Sequence, residues 1–296
     1  MHHVVTLLAP SNTPCPVEEA LNLLGEHGVG IARAGWVEKL LAYDMVLDAP
    51  LREDVRGELL HDAQDHWHID VIVQPLEGRE KKLIISDMDS TMICEECIDE
   101  LADMVGKKTE VAAITERAMR GELDFAEALR ARVSMLKGLP EGVLQRVLDE
   151  RITLSKGARA LVQTMNARGA HSVLVSGGFT FFTSAVAEKI GFADQAGNVL
   201  EIQNGLLTGE VRTPILDKFS KEKTLRETCA ARGVSPHDVL ALGDGANDIP
   251  MLQAAGLGVA YRAKEAVRAS AQAQLNYCDL SYLLYAQGIA KAQWVA

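Results

Sequence analysis

Long apolar runs are missing from this chain of 296 residues. No stretch approaches the roughly 20 apolar residues that a bilayer-spanning helix needs, so no membrane partner is expected. The N-terminus also lacks a cationic start, an apolar run and a small-residue cleavage site, so no secretory signal is expected. Cysteine is scarce: 5 residues, odd in number and irregular in spacing (Cys15, Cys94, Cys97, Cys229, Cys278). That argues against a disulfide framework and suits reduced thiols in the cytoplasm. Positive charge is in deficit. There are 30 Lys and Arg against 41 Asp and Glu, a formal net charge of -11. A nucleic-acid partner is therefore not expected, although a local basic cluster or a metal can still hold an anionic substrate. Internal repeats and low-complexity segments are absent too. Cys94-Glu95-Glu96-Cys97 has no second Cys or His pair to complete a zinc site, so it reads as incidental. His61, His66 and His68 read as surface or strand residues; pairing His66 with His68 on one strand face would need further ligands.

What is present divides in two. Residues 1–80 predict strands at 4–9, 31–36, 42–47 and 68–73, with helices at 17–27 and 51–63. The order βαββαβ is the ferredoxin-like α+β arrangement. Units of this shape often bind amino acids or mediate dimers, an analogy from fold alone. Residues 77–82, charged and Gly-containing, read as a linker. From 81 to 296 strands and helices alternate, which implies a Rossmann-like α/β core with a parallel sheet. A helical block at about 95–150 interrupts it just after the first strand and reads as a cap. A hairpin is expected at 198–202 and 205–211, around Gln203-Asn204-Gly205.

Three strand ends offer polar groups. The apolar run Leu83-Ile84-Ile85 delivers Asp87, Asp89 and Thr91. Val173-Leu174-Val175 delivers Ser176 and Gly177. Leu242-Gly243 delivers Asp244, Asn247 and Asp248. A lysine pair, Lys221 and Lys223, lies between the second and third. Each piece alone is commonly a turn or a solvated face. The full set in this order points to phosphoryl transfer. Asp87 is placed to attack phosphorus as a carboxylate nucleophile. Asp89, two residues on and facing the same way, can protonate the leaving oxygen and then activate water. Mg²⁺ suits oxygen ligands from Asp87 and Asp244, with a backbone carbonyl near Asp89. Ser176 and the Gly177 amide can hold a phosphoryl oxygen, and a lysine adds positive charge there.

The ordered set Asp87-Met88-Asp89-Ser90-Thr91, Ser176-Gly177-Gly178-Phe179, Ser220-Lys221-Glu222-Lys223 and Gly243-Asp244-Gly245-Ala246-Asn247-Asp248 resembles the haloacid-dehalogenase-like phosphatases. The cap, with Thr115 to Phe125 and Leu129-Arg130-Ala131-Arg132-Val133, is similar to that of the phosphoserine phosphatase family. The resemblance implies a Mg²⁺-dependent enzyme acting on phosphoserine. Glu96 would bind the substrate ammonium and Arg132 its carboxylate. Met119 and Phe125 would screen the site from water. Lys221 is preferred over Lys223, Asn247 would contact substrate, and Asp248 would orient the metal shell. The first 80 residues resemble the ACT-like domains attached to some members, which implies possible serine binding and a possible homodimer. Alternatives are a phosphotransferase, a phosphatase for a related small phosphomonoester, and an amino-acid-sensing regulatory protein.

Overall fold

A computed structural model describes residues 2–119 and 122–295, apart from the side chains of Ala118, Met119 and Lys218. The chain opens with β1 (His3–Leu8), α1 (Val17–Glu26), β2 (Ile31–Glu38), β3 (Ala42–Leu47), α2 (Glu53–Asp62) and β4 (Asp70–Pro75). The four strands form an antiparallel sheet in the order β2-β3-β1-β4, the ferredoxin-like arrangement expected.

Strand alternation sorts the two faces of this sheet. Val5, Leu7, Met45, Leu47 and Val71 pack with Leu23 and Leu24 of α1 and Val55 and Leu59 of α2. Leu8, Ala42 and Ile72 point the other way and join the larger core that contains Leu283 and Leu284. Polar neighbours on this second face act as fasteners. Gln74 Nε2 donates to the Ala286 carbonyl at 2.8 Å. Asp70 accepts the backbone N–H groups of Asn276, Tyr277 and Cys278 at 2.6, 3.1 and 2.8 Å. Arg79 pairs with Asp44 at 2.6 Å and donates to the carbonyls of Tyr285 and Ala286. The segment expected as a linker is thus tied down, and Lys81 is buried with Nζ on the carbonyls of Gly78 and His237. Asp70→Ala would leave three backbone donors without their acceptor, the Cys278 amide buried and the other two partly buried. It should cost about 3 kcal/mol or more of unfolding free energy, read from the urea midpoint; a loss below about 0.5 kcal/mol, within the range of an ordinary surface change, would contradict this fastening role.

The second part contains β5 (Leu83–Ser86), α3 (Cys97–Asp103), α4 (Lys108–Met119), α5 (Phe125–Ser134), α6 (Gly142–Glu150), α7 (Ala158–Ala167), β6 (His171–Phe179), α8 (Thr180–Ile190), β7 (Asp194–Asn198), β8 (Leu200–Gln203), β9 (Leu206–Val211), α9 (Lys218–Arg232), β10 (Val239–Gly243), α10 (Ile249–Ala254), β11 (Leu257–Tyr261), α11 (Glu265–Arg268), β12 (Ala273–Leu275) and α12 (Tyr282–Ala286). Six strands form a parallel sheet in the order β12-β11-β10-β5-β6-β7. All residues of β5 are buried, as a central strand covered on both faces requires. The chain leaves β5 to one side, through β6 and β7, and returns on the other through β10. That reversal opens a crevice at the strands' carboxyl ends.

The cap helices α3 to α6 follow β5. The turn between α5 and α6 is held by the β8–β9 hairpin. Gly138 donates to the Leu207 carbonyl, Leu207 to Leu139 and Glu141 to Gly205, each at 2.8 Å. At the hairpin tip Asn204 and Gly205 have φ of 53° and 75°, which fits the two left-handed residues of a type I′ turn.

Several boundaries differ from the sequence expectation. The fourth strand starts at Asp70, not at residue 68, because His68 is left-handed at φ 53° and closes a π turn over Ala63–Trp67. Asn198 ends β7 instead of starting the hairpin. β7 itself, Asp194–Asn198, is polar and carries no strand pattern; its pairing with β6 recruits it.

Candidate active site

Beyond β5 the chain continues alongside β10, since the Asp87 amide donates to the Leu242 carbonyl at 3.0 Å. Asp87 Oδ1 accepts the Met88 amide at 2.8 Å, and Oδ2 lies 2.7 Å from Lys221 Nζ. Asp89 Oδ1 accepts the Cys97 amide at 2.9 Å, and Oδ2 accepts the Ser176 hydroxyl at 3.1 Å. Ser176 Oγ in turn accepts the Gly178 amide at 2.8 Å. The two aspartates therefore stand in different company: Asp87 against a cation, Asp89 against neutral donors.

Lys221 comes from the first turn of α9. Asp217 caps that helix, accepting the amides of Phe219 and Ser220 at 3.0 and 2.9 Å. Lys221 is buried, with Nζ also 2.6 Å from Asp248 Oδ1. Lys223 is exposed and lies 3.7 Å from Glu227, so the structure separates the pair. Asp248 Oδ2 accepts the amides of Asp244 and Gly245 at 3.2 and 3.0 Å. Both oxygens of Asp248 are thus engaged in holding the loop and the lysine. Asp244 Oδ1 accepts the Thr91 hydroxyl at 3.1 Å. Asn247 is half-buried in the same loop, with Oδ1 folded over Gly245 where a Cβ would collide.

Charge is crowded here. Burial and then Asp248 hold the Asp87 carboxyl well above the usual carboxylate range, against the pull of Lys221. Burial likewise raises Asp89, opposed by the Cys97 amide and Ser176. Asp244 is pushed up to about 6 by burial and Asp248. Burial works against the Lys221 ammonium, but Asp248 and Asp87 outweigh it and hold its pKa raised. Oxygens of Asp87, Asp244 and Asp248 lie within 4.8 Å of one another. An all-oxygen set with surplus negative charge fits a hard divalent cation. Among the described residues, both oxygens of Asp87 and of Asp248 already have partners, whereas Asp244 has only Oδ1 engaged, by Thr91.

The cap closes over this floor. A Cβ on Gly177 would sit 2.9 Å from Phe125 Cζ, so the Phe125 ring rests on the loop after Ser176. Gly177→Ala should therefore hold the cap off its seat and lower kcat/KM by about 10-fold or more, a misplacement effect. Unchanged kinetics with the alanine present would contradict that seating. Glu96 precedes α3 and accepts the Ser90 hydroxyl at 2.6 Å. Burial, then the Asp89 charge, pushes its carboxyl up to about 7. Arg132 on α5 donates to the Ala128 carbonyl at 3.3 Å and to the Thr115 hydroxyl at 3.5 Å. Burial lowers its pKa, while Asp99, Glu96 and Asp89 act in the opposite sense. Arg132 therefore stands in the field of the same acidic cleft. Met119 ends α4, but its side chain lies outside the described residues.

Three contributors were not legible in the sequence. Ser90, at φ 54°, carries the hydroxyl that meets Glu96. Thr115 meets Arg132. Asn198, buried, donates to the Gly177 carbonyl at 2.8 Å and accepts the Leu216 amide at 2.8 Å, so it ties the loop after Ser176 to the approach to α9. No spacing marks Asn198, because its partners are contacts between distant segments. Cys97 contributes its amide, and neither it nor Cys94 forms a disulfide.

A capped parallel sheet with acidic loops and a buried lysine at its strand-order reversal is the architecture of an α/β phosphohydrolase. The comparisons agree and narrow it. Residues 84–253 match the haloacid dehalogenase-like hydrolase family. A phosphoserine phosphatase from Albidiferax ferrireducens is 49% identical over 215 residues, 71% of this chain and 91% of that protein. A solved HAD family hydrolase from Salmonella enterica serovar Typhi superposes with a TM-score of 0.85 at 31% identity, over 96% of this chain and 97% of its own. A solved phospho-aspartyl intermediate analogue of phosphoserine phosphatase gives 0.65 at 38% identity, over 70% and 98%. The chain belongs to the haloacid dehalogenase-like hydrolases, in their phosphoserine phosphatase branch.

Proposed function

We propose that the chain hydrolyses O-phospho-L-serine to L-serine and phosphate, the last step of serine biosynthesis, with Mg²⁺ as its ion. The observation that carries this reading is the pairing of two ends of one cleft. Asp87, Asp89, Ser176 and Lys221 meet at the floor, and the cap brings Glu96 and Arg132 into the same electrostatic field. A phosphate, an ammonium and a carboxylate on one small molecule match the floor, the glutamate and the arginine in turn.

Asp87 attacks phosphorus and the bond to the seryl oxygen breaks, leaving an acyl phosphate on Asp87. Asp89 gives its proton to that oxygen. Burial shifts its pKa upward, toward the acid form this step needs, and its neighbours Ser176 and the Cys97 amide fix its orientation. Serine leaves, and Asp89 takes a proton from the water that attacks phosphorus and frees Asp87. Lys221, the Ser176 hydroxyl and the Gly177 amide hold phosphoryl oxygens throughout. Asp87 and Asp244, with a backbone carbonyl near Asp89, would hold Mg²⁺, which would supply charge neutralisation and polarise the phosphoryl group. Asp248 and Thr91 keep Lys221 and Asp244 in position, Asn247 contacts substrate, and Phe125 excludes water.

We further propose that residues 1–80 are an ACT-like unit that binds serine and forms a homodimer. Residues 81–296 are then the catalytic unit with its cap at about 95–150, in a cytoplasmic enzyme. No helix among the described residues is long and apolar enough to cross a membrane. The edge strand β2 leaves Trp36 43% exposed, and an unpaired edge with an apolar side chain favours pairing with a second copy. A substrate panel in Mg²⁺ tests the activity. Phosphoserine should exceed a phosphomonoester lacking ammonium and carboxylate in kcat/KM by about 10²-fold. Equal rates, or phosphate diverted to an added alcohol acceptor, would overturn it.

A further inference from the structure

A second group of metal-ligating side chains lies outside this cleft, on the far end of α2. There the chain leaves α geometry for a single π turn over Ala63–Trp67. A π turn winds less per residue than an α turn, so residues five apart come onto one side. His61 and His66 are such a pair, with ring centroids 5.7 Å apart. Each meets a carboxylate: His61 Nδ1 is 2.9 Å from Asp65 Oδ2, and His66 Nε2 is 3.8 Å from Asp62 Oδ1. Ligand atoms of His61, Asp62 and His66 all lie within 4.8 Å of one another. His68 faces away. Its Nδ1 is hydrogen-bonded with the Gln64 carbonyl at 2.9 Å, and its ring lies against Tyr277.

We propose that His61, Asp62 and His66 form a surface site for a borderline divalent transition-metal ion of the zinc type, with Asp65 orienting the His61 ring. A tetrahedral ion with ligands at about 2.0–2.1 Å needs them about 3.4 Å apart. The side chains of His61 and His66 are 62% and 65% exposed, so they are free to close the remaining gap. Two imidazoles and one carboxylate select zinc-like ions, whereas Mg²⁺ prefers the all-oxygen set of the cleft. The two sites therefore differ in chemistry as well as place.

The π turn is also a docking point. Gln64 Nε2 donates to Gln274 Oε1 at 2.6 Å, and Tyr277 Oη donates to the Gln64 carbonyl at 2.8 Å. An ion bridging His61 to His66 pins the turn that joins the N-terminal sheet to the segment around β12. Binding to the folded state alone then raises stability by mass action.

The test uses the full chain, stripped of metal and then saturated with Mg²⁺ so that the cleft carboxylates are occupied. Zn²⁺ is titrated calorimetrically into the wild type, His61→Gln, His66→Gln and, as a control, His68→Gln. The wild type and His68→Gln should take up the ion equally and gain Tm. Loss of either ligand should weaken binding by about 10-fold or more and remove the Tm gain. Phosphate release in Mg²⁺ without zinc should be the same in all four proteins, which verifies folding. No zinc uptake by the wild type, or uptake by His61→Gln and His66→Gln as tight as that of the wild type, would overturn the site.

Discussion

Asp87→Asn should lower kcat for phosphoserine by more than about 10³-fold while the fold is retained, since removing one member of a catalytic unit abolishes most of its effect. The amide is nearly isosteric and keeps an oxygen for the Met88 N–H bond, but it is a poor nucleophile toward phosphorus. Lys221 keeps Asp248 at 2.6 Å, so the buried ammonium is not left uncompensated. Removing one of the crowded carboxylates also removes a buried charge and its repulsion with Asp248, the two largest causes that raise the Asp87 pKa. Circular dichroism and the urea midpoint should therefore stay close to the wild type. A variant with near-normal turnover would sink the assignment of Asp87 as the attacking group.

Arg132→Ala should separate substrates by what they carry beyond the phosphate. A bidentate guanidinium–carboxylate contact is worth about 3 kcal/mol if each charged hydrogen bond supplies about 1.5. That converts to roughly 10²-fold in kcat/KM, expressed mainly in KM. A phosphomonoester with no carboxylate never makes the contact and should lose only a few-fold. The cap should still close on Phe125, because Arg132 reaches its own helix and Thr115 rather than the floor loop. Equal losses on both substrates would mean that Arg132 supports the cap and does not read the substrate.

Asp87, Asp89 and Asp244 were legible because they follow the buried strands β5 and β10, whereas Ser176 and Gly177 lie within β6 and Lys221 within α9. Leu83 to Ile85 is a continuous apolar run that closes with its strand at Ser86, whereas the run Val173 to Val175 stops before β6 does, at Phe179. The floor of the site follows from those ends. Lys221 over Lys223 was set by resemblance in the sequence; in the structure Lys221 is buried beside Asp87 and Asp248, and Lys223 is exposed. Other parts depend on contacts between distant segments. Asn198 carries no motif, and its role exists only once β7 lies beside β6. The π turn at Ala63–Trp67 has no periodic signature, so nothing in the sequence joined His61 to His66, and both read as surface or strand residues. The N-terminal sheet read as a small unit of its own. Its second face is covered by the segment from β12 to α12, and Asp70, Gln74 and Arg79 are polar there because they fasten backbone groups more than 200 residues away in sequence.

The most direct measurement is chemical trapping of the enzyme during turnover. Borohydride reduces an acyl phosphate to an alcohol, so an aspartyl phosphate is recovered as homoserine. Peptide mapping after turnover of phosphoserine in Mg²⁺ should place that conversion at Asp87 and nowhere else, with none in a phosphoserine-free control. Conversion at Asp89, or an unmodified Asp87 peptide during steady turnover, would contradict the nucleophilic role on which the whole reading rests.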